Sequence, residues 1–461
     1  MSISQLQVGV MRIEGTSLTT WAQISLLSAI AVAVLAFGGT EPASFAAVEI
    51  LLAGVAIAFV ARRHYAHFSF SKGMLMAPMV PLGVILLQLC PLPVAWTKRL
   101  AAGPVWDAHI QFRTLTIEPF ATRAHFLILM TCIIGFFLAY IASQSSRSRR
   151  HLVVGLIVIG LFEAFYGLVQ YLTGWQQIFG YVKRYDLQEA TGTYINRNHY
   201  AGLLEMLFPL SLARAFYELW KLHTKKRTEE SNFHRVAIWL SIAVVLFAGL
   251  VYSRSRMGIA AASISVLVML TLAWTSKAYG RTALVVCAAF LVLSIGIIAW
   301  IGAASVVERF QDAGQEYAAE DHTRVSIWRG TLRLIGEHPW FGTGFGTFPI
   351  AYTVVQTTFL DKFVNHAHND YLELASDLGI PAAFGITAPI VWILVRTARA
   401  FRDTGRNMDK FFALGCVGSI VAILLHSLSD FNLYIPANAL VFASILGLAM
   451  SLKPGMVTEN R

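Results

Sequence analysis

The sequence predicts an all-α, polytopic membrane protein with about twelve transmembrane helices and a large periplasmic loop between helices 9 and 10. Two observations predict this class. Hydrophobic residues make up 56% of the 461-residue chain and charged residues only 13%, about half of the roughly 25% that soluble domains carry. Apolar runs of about 20 residues, the length that crosses a bilayer, also recur along the whole chain.

Twelve apolar runs are candidate membrane spans. They are residues 21–37, 45–61, 74–93, 125–141, 152–172, 201–220, 236–251, 258–274, 284–303, 372–395, 411–425 and 433–452. The third run contains four prolines, so we expect it to be irregular or broken, because proline lacks the amide hydrogen that a helix interior needs. Each of the four cysteines lies inside an apolar run, where we expect a packing residue and no disulfide framework.

The basic residues predict the orientation. They are concentrated in the connections after even-numbered spans, as in Arg62, Arg63, Arg147, Arg149, Arg150, Lys221, Arg396, Arg399, Arg402 and Lys410. The positive-inside rule places these connections and both termini in the cytoplasm. The odd-numbered loops then face the periplasm, and we expect a multi-pass protein of the bacterial cell inner membrane. Because the net charge of +10 is spread over short connections, we expect contact with membrane lipids and no nucleic-acid partner.

A histidine motif precedes the tenth span. It reads His366-Ala-His368-Asn369-Asp-Tyr-Leu-Glu373. Asn369 or the following aspartate is placed to cap that helix. Glu373 and Asp377 continue one helical stripe into the span, where charged groups are usually functional or paired.

Three interpretations of His366 and His368 stay open: a catalytic histidine, a packing or capping role, and a metal site. The metal interpretation is the weakest, because neither a cysteine nor a third ligand accompanies the two histidines. We therefore expect no metal and no cofactor.

Two arginines occupy a short periplasmic turn, against the positive-inside trend. Arg254 and Arg256 lie in the sequence Ser-Arg-Ser-Arg-Met-Gly. One interpretation is snorkelling to the interface or to lipid phosphates. The other is a diphosphate clamp, because guanidinium groups bind phosphate oxygens in bidentate fashion and stay charged.

The large periplasmic loop, 304–368, carries two further patterns. Residues 324–329, Arg324-Val-Ser-Ile-Trp328-Arg329, read as an amphipathic helix that ends before a proline. Residues 337–348 form a Gly-aromatic segment that does not fit the dinucleotide fingerprint. This segment is either a tight turn with interfacial aromatics or a surface on which Trp340 or Phe345 stacks against sugars.

Two polar runs complete the candidate site. In residues 192–200, we expect Asn198 to cap the sixth span and Asn196 to bind backbone or ligand. In residues 426–432, between the last two spans, we expect Asp430 to pair with a periplasmic arginine.

These motifs together resemble the O-antigen ligase and polysaccharide polymerase family. His368-Asn369, followed after nine residues by Gly379, is similar to the family's periplasmic signature, although Ala382 replaces its second glycine. Arg256 resembles the arginine of a Ser-Arg-Gly-like turn. Three further resemblances are Arg324 with Trp328 in an Arg-x-x-x-Trp element, Pro339 to Phe348 in a Pro-x-x-Gly-x-Gly-x-Gly-x-Phe element, and Asn196 and Asn198 with the downstream Pro209.

The resemblance covers roughly residues 192–450. It divides the chain into residues 1–200, with helices 1–5 and their loops, and residues 201–461, an O-antigen ligase-like transmembrane domain. The first five spans match the family by hydropathy only.

The resemblance implies a metal-independent, inverting glycosyltransferase that takes a glycan from undecaprenyl diphosphate. His368 would accept the proton of the acceptor hydroxyl, and Arg256 and Arg324 would stabilise the diphosphate leaving group. The remaining substrate-binding candidates are Arg254, Arg329, Asn369, Glu373, Asn196, Asn198 and Trp328. Asn369 and Glu373 would orient either His368 or the acceptor.

Two alternatives concern the reaction and the class of protein. A ligase would move a finished glycan to a glycan or lipid A-core acceptor, whereas a polymerase would join lipid-linked repeats. The rival class is a secondary transporter or flippase of lipid-linked glycan. That class usually shows internal repeats and midplane charges, whereas the polar motifs here share one face.

Overall fold

A computed structural model describes residues 3–100, 111–224, 230–275, 324–356, 363–403 and 408–452. These residues form helices joined by short connections, with only two small hairpins. The predicted all-α fold is therefore confirmed. The ninth predicted span, 284–303, and the first part of the large loop lie outside the described residues.

Sixteen helices follow one another along the described residues. They are α1 Ile3–Leu35, α2 Pro42–Ala61, α3 Lys72–Met76, α4 Met79–Leu89, α5 Val94–Leu100, α6 Pro119–Ile141, α7 Ser146–Thr173, α8 Arg197–Thr224, α9 Glu230–Tyr252, α10 Arg256–Thr275, α11 324–337, α12 Phe348–Val355, α13 Asp370–Leu378, α14 Ile380–Asp403, α15 Met408–His426 and α16 Pro436–Ser451. Strands Leu92–Pro93 (β1) and Phe112–Arg113 (β2) form one antiparallel hairpin, and Gln177–Ile178 (β3) and Tyr181–Val182 (β4) form the other.

Nine candidate membrane spans lie among the described residues, judged by length and composition. They correspond to α1, α2, the α3–α4 pair, α6, α7, α9, α10, α14 and α15. The predicted sixth and twelfth spans are also helical, as α8 and α16. α8 carries charged side chains along its 28 residues, and α16 is a shorter apolar helix of 16 residues.

Successive long helices run in alternating directions, so their connections collect at two ends of the bundle. At the first end, Thr193 donates a hydrogen bond to the Val34 carbonyl and the Ala190 amide donates to Tyr252. We call it the loop end, and it holds the segments 36–41, 174–196, 253–255, 363–369 and 427–435. At the opposite, basic end, Arg149 of α7 forms a 2.7 Å ion pair with Asp409 of α15.

The predicted irregularity of the third span is confirmed. The run is divided into α3 and α4, and the break falls at Ala77 and Pro78. Proline at this point cannot continue the hydrogen bonding of the preceding turn.

The tenth span was predicted as one helix over 372–395, and this was wrong. The chain instead forms the short α13 and the long α14, with Gly379 between them at φ +78°. A Cβ at Gly379 would collide with the Trp340 backbone, so the break depends on the packed Gly-aromatic loop. As a result, Glu373 and Asp377 lie in a short buried helix before the span.

Candidate active site

The N-terminus of α13 joins two segments of the loop end. The Asn369 side chain accepts hydrogen bonds from the amides of Tyr371 and Leu372, both at 3.1 Å. Its amide group donates to the Leu428 carbonyl at 2.9 Å. Asn369 is thus the predicted helix cap, and it also attaches the histidine motif to the connection between α15 and α16.

Asp370 stabilises the same junction with its backbone amide and its carboxylate. Its amide donates to the Ser427 carbonyl at 3.0 Å, and its carboxylate accepts from the Leu433 amide. The histidine motif and the segment 427–433 are therefore held in register at several points. This register brings His368 to Asp430.

His368 faces a buried carboxylate. Its Nδ1 atom lies 3.8 Å from Oδ1 of Asp430, whose side chain is 2% exposed, whereas the His368 side chain is 34% exposed. Nδ1 itself is buried, so the exposed part of the ring carries Nε2. His368 also has φ +50°, a region that non-glycine residues rarely adopt and that is found at functional sites.

Asp430 is expected to be ionised. Burial raises the pKa of its carboxyl, but interactions with the imidazoles of His368, His199 and His426 bring the pKa below its usual range. The expectation that Asp430 pairs with an arginine is wrong. Its ion-pair partners among the described residues are His368 and His199, and the latter lies at 4.0 Å. A single sequence does not reveal this pairing, because the partners lie far apart along the chain.

His366 has a carboxylate partner of its own. Its Nδ1 lies 2.7 Å from Oε1 of Glu373, and the other Glu373 oxygen accepts the Ala367 amide at 2.7 Å. Burial lowers the pKa of His366 to about 3 and raises that of Glu373 to about 8. Both shifts favour the neutral forms, so at neutral pH the pair shares one proton. The structure thus places Glu373 against His366.

Phe431 lies at the centre of the histidines. His366 stacks on its ring at 3.9 Å with an interplanar angle of 13°, and His368 and His199 approach in edge-on geometry at 5.1 and 4.6 Å. We call His199, His366, His368, Asp430 and Phe431 the histidine cluster. Because one aromatic ring contacts all three imidazoles, it restricts their orientations.

One face of helix α11 contacts the backbone of residues next to the histidine cluster. Arg324 donates to the Ser429 carbonyl at 3.3 Å, and the Trp328 indole donates to the Ala367 carbonyl at 3.0 Å. Residues four apart share a helix face, whereas Arg329 lies about 140° around the helix from Arg324. Arg329 is accordingly exposed. Arg324 and His368 contact adjacent residues, Ser429 and Asp430.

Arg254 and Arg256 lie at the loop end between α9 and α10. The Arg254 guanidinium is 5.9 Å from the centre of the Tyr171 ring, and Arg256 is exposed at the start of α10. Gly258 packs so closely on Ala201 of α8 that a Cβ would lie 2.9 Å from the alanine methyl group. The start of α10 therefore lies beside the first turn of α8, which carries His199.

The sequence 192–200 begins α8 with a different cap from the one expected. The Asn196 side chain accepts from the Asn198 amide at 2.8 Å, and α8 starts at Arg197. Asn196 is therefore the capping residue, and the prediction of Asn198 was wrong by two positions. Arg197 binds Glu189 at 2.9 Å and so fixes this turn to the preceding loop.

The Gly-aromatic segment surrounds the end of α13. Thr343 and Gly344 donate their amides to the Ser376 and Asp377 carbonyls, and Gly346 donates to the Asp377 carboxylate at 2.7 Å. Gly344 and Gly346 have φ +124° and +78°, and a Cβ on Gly346 would collide with a histidine ring. These glycines thus serve a structural role that supports the site.

Phe345 and Trp340 of this segment have different environments, and only one of them is accessible for stacking against a sugar. Phe345 packs edge-on against His125 and Tyr434, at 5.4 and 6.2 Å. It therefore acts as a packing residue. Trp340 is 68% exposed at the loop end, which leaves its ring accessible to a ligand.

A buried ionisable pair was missed in the sequence. Glu205 of α8 and His426 of α15 lie 3.0 Å apart and are both fully buried. The available signal was a glutamate inside an apolar helix, combined with a histidine at the end of another. No group of three or more histidine, cysteine or acidic side chains among the described residues could hold a metal ion.

The fold and the site define a polytopic, all-α membrane protein with a histidine–carboxylate cluster at one end. The family model described as O-antigen ligase matches residues 241–387, and the predicted resemblance to the O-antigen ligase family is thereby confirmed. No curated protein matches the chain. The match supports a membrane glycosyltransferase-like role in polysaccharide biosynthesis. It includes Arg256, Arg324 and His368, and it ends before Asp430.

The departure from the family signature at Ala382 has a structural context. Ala382 is fully buried and packs with Ile85 and Leu378. A small side chain is therefore still required at this position, just after Gly379.

Proposed function

We propose that this protein transfers a glycan from undecaprenyl diphosphate to an acceptor sugar hydroxyl. The observation that carries the proposal is the position of His368 between a buried carboxylate and the accessible side of the site. Asp430 faces Nδ1 and would hold the proton there, as the carboxylate of a catalytic triad does. Nε2 is then the basic atom that faces the acceptor.

The transfer proceeds by direct displacement. Nε2 of His368 accepts the proton as the acceptor oxygen bonds to the anomeric carbon on the face opposite the diphosphate. The bond between the anomeric carbon and the diphosphate oxygen breaks with its electron pair, so the glycan is transferred with inversion. Asp430 stabilises the imidazolium that forms, which later loses its proton to water. Undecaprenyl diphosphate is the leaving group, and the route needs no metal.

The leaving diphosphate requires fixed positive charge. Arg324, which contacts the segment beside Asp430, and Arg256, at the start of α10, would supply it. Arg254 and Arg329 are secondary contacts with donor or membrane phosphates. Trp328 and Asn369 position the histidine motif, and Asn196 and Asn198 border the first turn of α8, where the glycan would pass.

The orientation follows from the charge distribution. We propose that the basic end faces the cytoplasm of the bacterial inner membrane, because short connections rich in arginine and lysine are retained there. The loop end then faces the periplasm, where lipid-linked glycans are used. Ligase and polymerase activities both fit this arrangement.

A transporter of lipid-linked glycan is the alternative. Its expected mark is a set of charges near the membrane midplane. Glu205 is eight residues from the start of α8, about 12 Å along the helix, and it pairs with His426 at the loop end. The pair thus connects a carboxylate inside α8 to the last residue of α15, at the end of the bundle that holds the histidine cluster.

The test uses purified protein in lipid vesicles with an undecaprenyl-diphosphate oligosaccharide and a panel of acceptors. Release of undecaprenyl diphosphate and the mass of the glycan are followed for wild type, His368→Ala and the control His338→Ala. We expect His368→Ala to lose roughly 10²- to 10⁴-fold in rate, the usual contribution of a general base. Equal rates for His368→Ala and wild type would refute the proposed base, and absence of transfer to any acceptor would favour transport.

A further inference from the structure

The hairpin formed by β3 and β4 follows α7 and takes no part in the histidine cluster. Residues 174–182 read Gly-Trp-Gln-Gln-Ile-Phe-Gly-Tyr-Val and contain no charged residue. Phe179 and Gly180 join the two strands and form the tip. Four large apolar side chains of the hairpin are exposed: Trp175, Phe179, Tyr181 and Val182. A contiguous apolar surface of this kind indicates an interaction surface.

The tip residue Phe179 combines an unusual backbone conformation with an exposed ring. Its φ is +52°, a region that bulky residues rarely adopt because it is strained. Glycine would adopt the same conformation without strain. The Phe179 side chain is 50% exposed, so packing inside the protein does not account for the choice of an aromatic residue. The position therefore indicates a use for the ring outside the bundle.

The hairpin folds back along α7 instead of extending away from the bundle. Gly174, at φ +68°, ends α7 and reverses the chain. The Gln170 side chain donates to the Gln177 carbonyl at 2.9 Å, and the Tyr166 hydroxyl accepts from the Phe179 amide at 2.8 Å. As the chain advances toward the tip, its partner on α7 thus moves back from residue 170 to residue 166. Residue 166 lies about 10 Å before the end of the helix, at 1.5 Å per residue.

The side of α7 that borders the hairpin faces lipid. α7 is a candidate membrane span, and exposed apolar side chains follow one stripe along it: Val158, Phe162, Phe165 and Leu172. Tyr166 adjoins this stripe. Its ring lies 5.9, 5.5 and 5.6 Å from the rings of Phe162, Trp175 and Phe179. The aromatic surface of the hairpin is therefore continuous with the lipid-facing surface of the span.

The hydrogen bonds to α7 make the hairpin compatible with a membrane interface. A backbone polar group without a partner is costly near hydrocarbon. Here the tip amide binds Tyr166, a strand carbonyl binds Gln170, and the Lys183 amide donates to the Gln176 carbonyl at 2.9 Å. Tryptophan and tyrosine, which the hairpin also exposes, are the residues enriched at membrane–water interfaces.

The residues after the hairpin attach it to the bundle. The Lys183 ammonium group donates to the Asp186 and Glu189 carbonyls at 2.7 and 3.1 Å. Glu189 in turn binds Arg197, the first residue of α8, at 2.9 Å. Because the hairpin is held on both sides, the bundle fixes the position of its tip. The next residue, Arg184, is exposed, as suits a cation that contacts lipid phosphates.

We propose that the hairpin, residues 175–182, inserts into the membrane leaflet at the loop end. The Phe179 ring lies among the upper acyl chains, and Trp175 and Tyr181 lie at the level of the head groups. Lipid is favoured over a glycan because sugar sites place polar side chains beside their stacking rings, whereas the tip exposes Phe179 and Val182. The inference holds whether or not the protein is a transferase.

The experiment uses the full chain with its four cysteines replaced by alanine. Single cysteines are introduced as Phe179→Cys, Val182→Cys, Tyr185→Cys and Phe165→Cys, labelled with nitrobenzoxadiazole, and placed in phosphatidylethanolamine and phosphatidylglycerol vesicles. Quenching is measured with iodide on both sides of the membrane, and with lipids that carry a nitroxide near the top or at the middle of an acyl chain. Tyr185, exposed just after the hairpin, is the matched control, and Phe165 is the lipid-facing reference.

We expect the label at Phe179→Cys to be quenched most strongly by the nitroxide near the top of the acyl chain. Its iodide quenching constant should be less than half that of Tyr185→Cys. The label at Val182→Cys, farther from the tip, should give an intermediate iodide constant. If Phe179→Cys does not fold, Val182→Cys makes the same comparison with Tyr185→Cys.

Other results would overturn the inference in distinguishable ways. Equal iodide quenching at Phe179→Cys and Tyr185→Cys would place the tip in water, where it would be open to a glycan. Protection of Phe179→Cys from iodide and from both lipid nitroxides would mean that protein covers the tip, either a second copy or another part of the chain. Absence of lipid quenching at Phe165→Cys would refute the lipid-facing stripe of α7 on which the inference depends.

Discussion

Asp430 lies 3.8 Å from Nδ1 of His368, although 62 positions separate the two residues in the chain. The pair forms because Asn369 and Asp370 bind the segment 427–433 through side-chain and backbone hydrogen bonds. An ionised, buried carboxylate beside an accessible imidazole is an arrangement that orients a general base.

Replacing Asp430 with asparagine should lower kcat by roughly 10²-fold or more, because the charge that stabilises the imidazolium is lost. The variant keeps an oxygen that can accept the Phe431 amide, which Oδ1 binds at 2.8 Å, so we expect the protein to fold. Transfer rates are measured across pH 5 to 9 and compared with thermal stability in detergent. A variant that is folded and fully active would show that Asp430 does not orient the base.

Arg324 and Arg333 provide a matched pair on α11. Nine residues apart, they lie on opposite faces of the helix, and Arg333 is exposed. We expect Arg324→Ala to lower kcat/KM for the lipid-linked donor by about tenfold to a hundredfold, the effect of losing one charge-assisted hydrogen bond of roughly 1.5–3 kcal/mol. Arg329→Ala should give a smaller loss and Arg333→Ala none. Equal losses in all three variants would indicate a general charge effect of the helix.

Glu373 should make the stability of the protein depend on pH. Burial raises the pKa of its carboxyl to about 8 in the folded protein, above the roughly 4.3 of an exposed glutamate. Above about pH 4.3 the folded state holds one more proton on Glu373 than the unfolded state, but up to about pH 6.5 the unfolded state holds one more on His366, whose pKa folding lowers to about 3. The free energy of unfolding should therefore fall as the pH rises from about 6.5 to 8.

The measurement is the melting temperature of purified protein over this pH range. Glu373→Gln, which stays neutral, should flatten the decrease, because the amide does not titrate. His151→Ala, at an exposed position near the start of α7, should keep the wild-type slope. A Glu373→Gln protein with the full wild-type slope would assign the dependence to another group.

Alanine substitutions at two glycines of the large loop should change the stability of the protein differently. Gly346 has φ +78° and faces the His125 ring, whereas no heavy atom lies within 4 Å of a Cβ placed on Gly336. We expect Gly346→Ala to destabilise the protein by about 1–3 kcal/mol, the cost of a strained backbone. Gly336→Ala, in helix α11, should be neutral or stabilising by roughly 0.4–1 kcal/mol. Melting temperatures in detergent check both, and equal values would refute the structural role of Gly346.

Local and compositional patterns determined the architecture. Apolar runs of membrane-spanning length predicted the helices, and prolines in the third run predicted its break at Pro78. Asn369 could be recognised as a helix cap from its neighbours alone, because a cap bonds to amides two and three residues away. The order of short motifs also predicted the resemblance to the O-antigen ligase family.

Only the tertiary structure decided which groups face one another. Only glycine fits at the end of α13, because a Cβ on Gly379 would collide with the backbone of Trp340. Trp340 is nearly 40 residues away in the chain. Glu373 binds His366, Asp430 faces His368, and Glu205 pairs with His426. From the sequence we expected an arginine beside Asp430 and a role for Glu373 beside His368 or the acceptor, and Glu205 was not singled out. Such pairs depend on how distant loops and helices pack, and one sequence carries no periodic signal for that packing. Helix formation and membrane insertion, in contrast, depend mainly on neighbouring residues and on the hydrophobicity of each run.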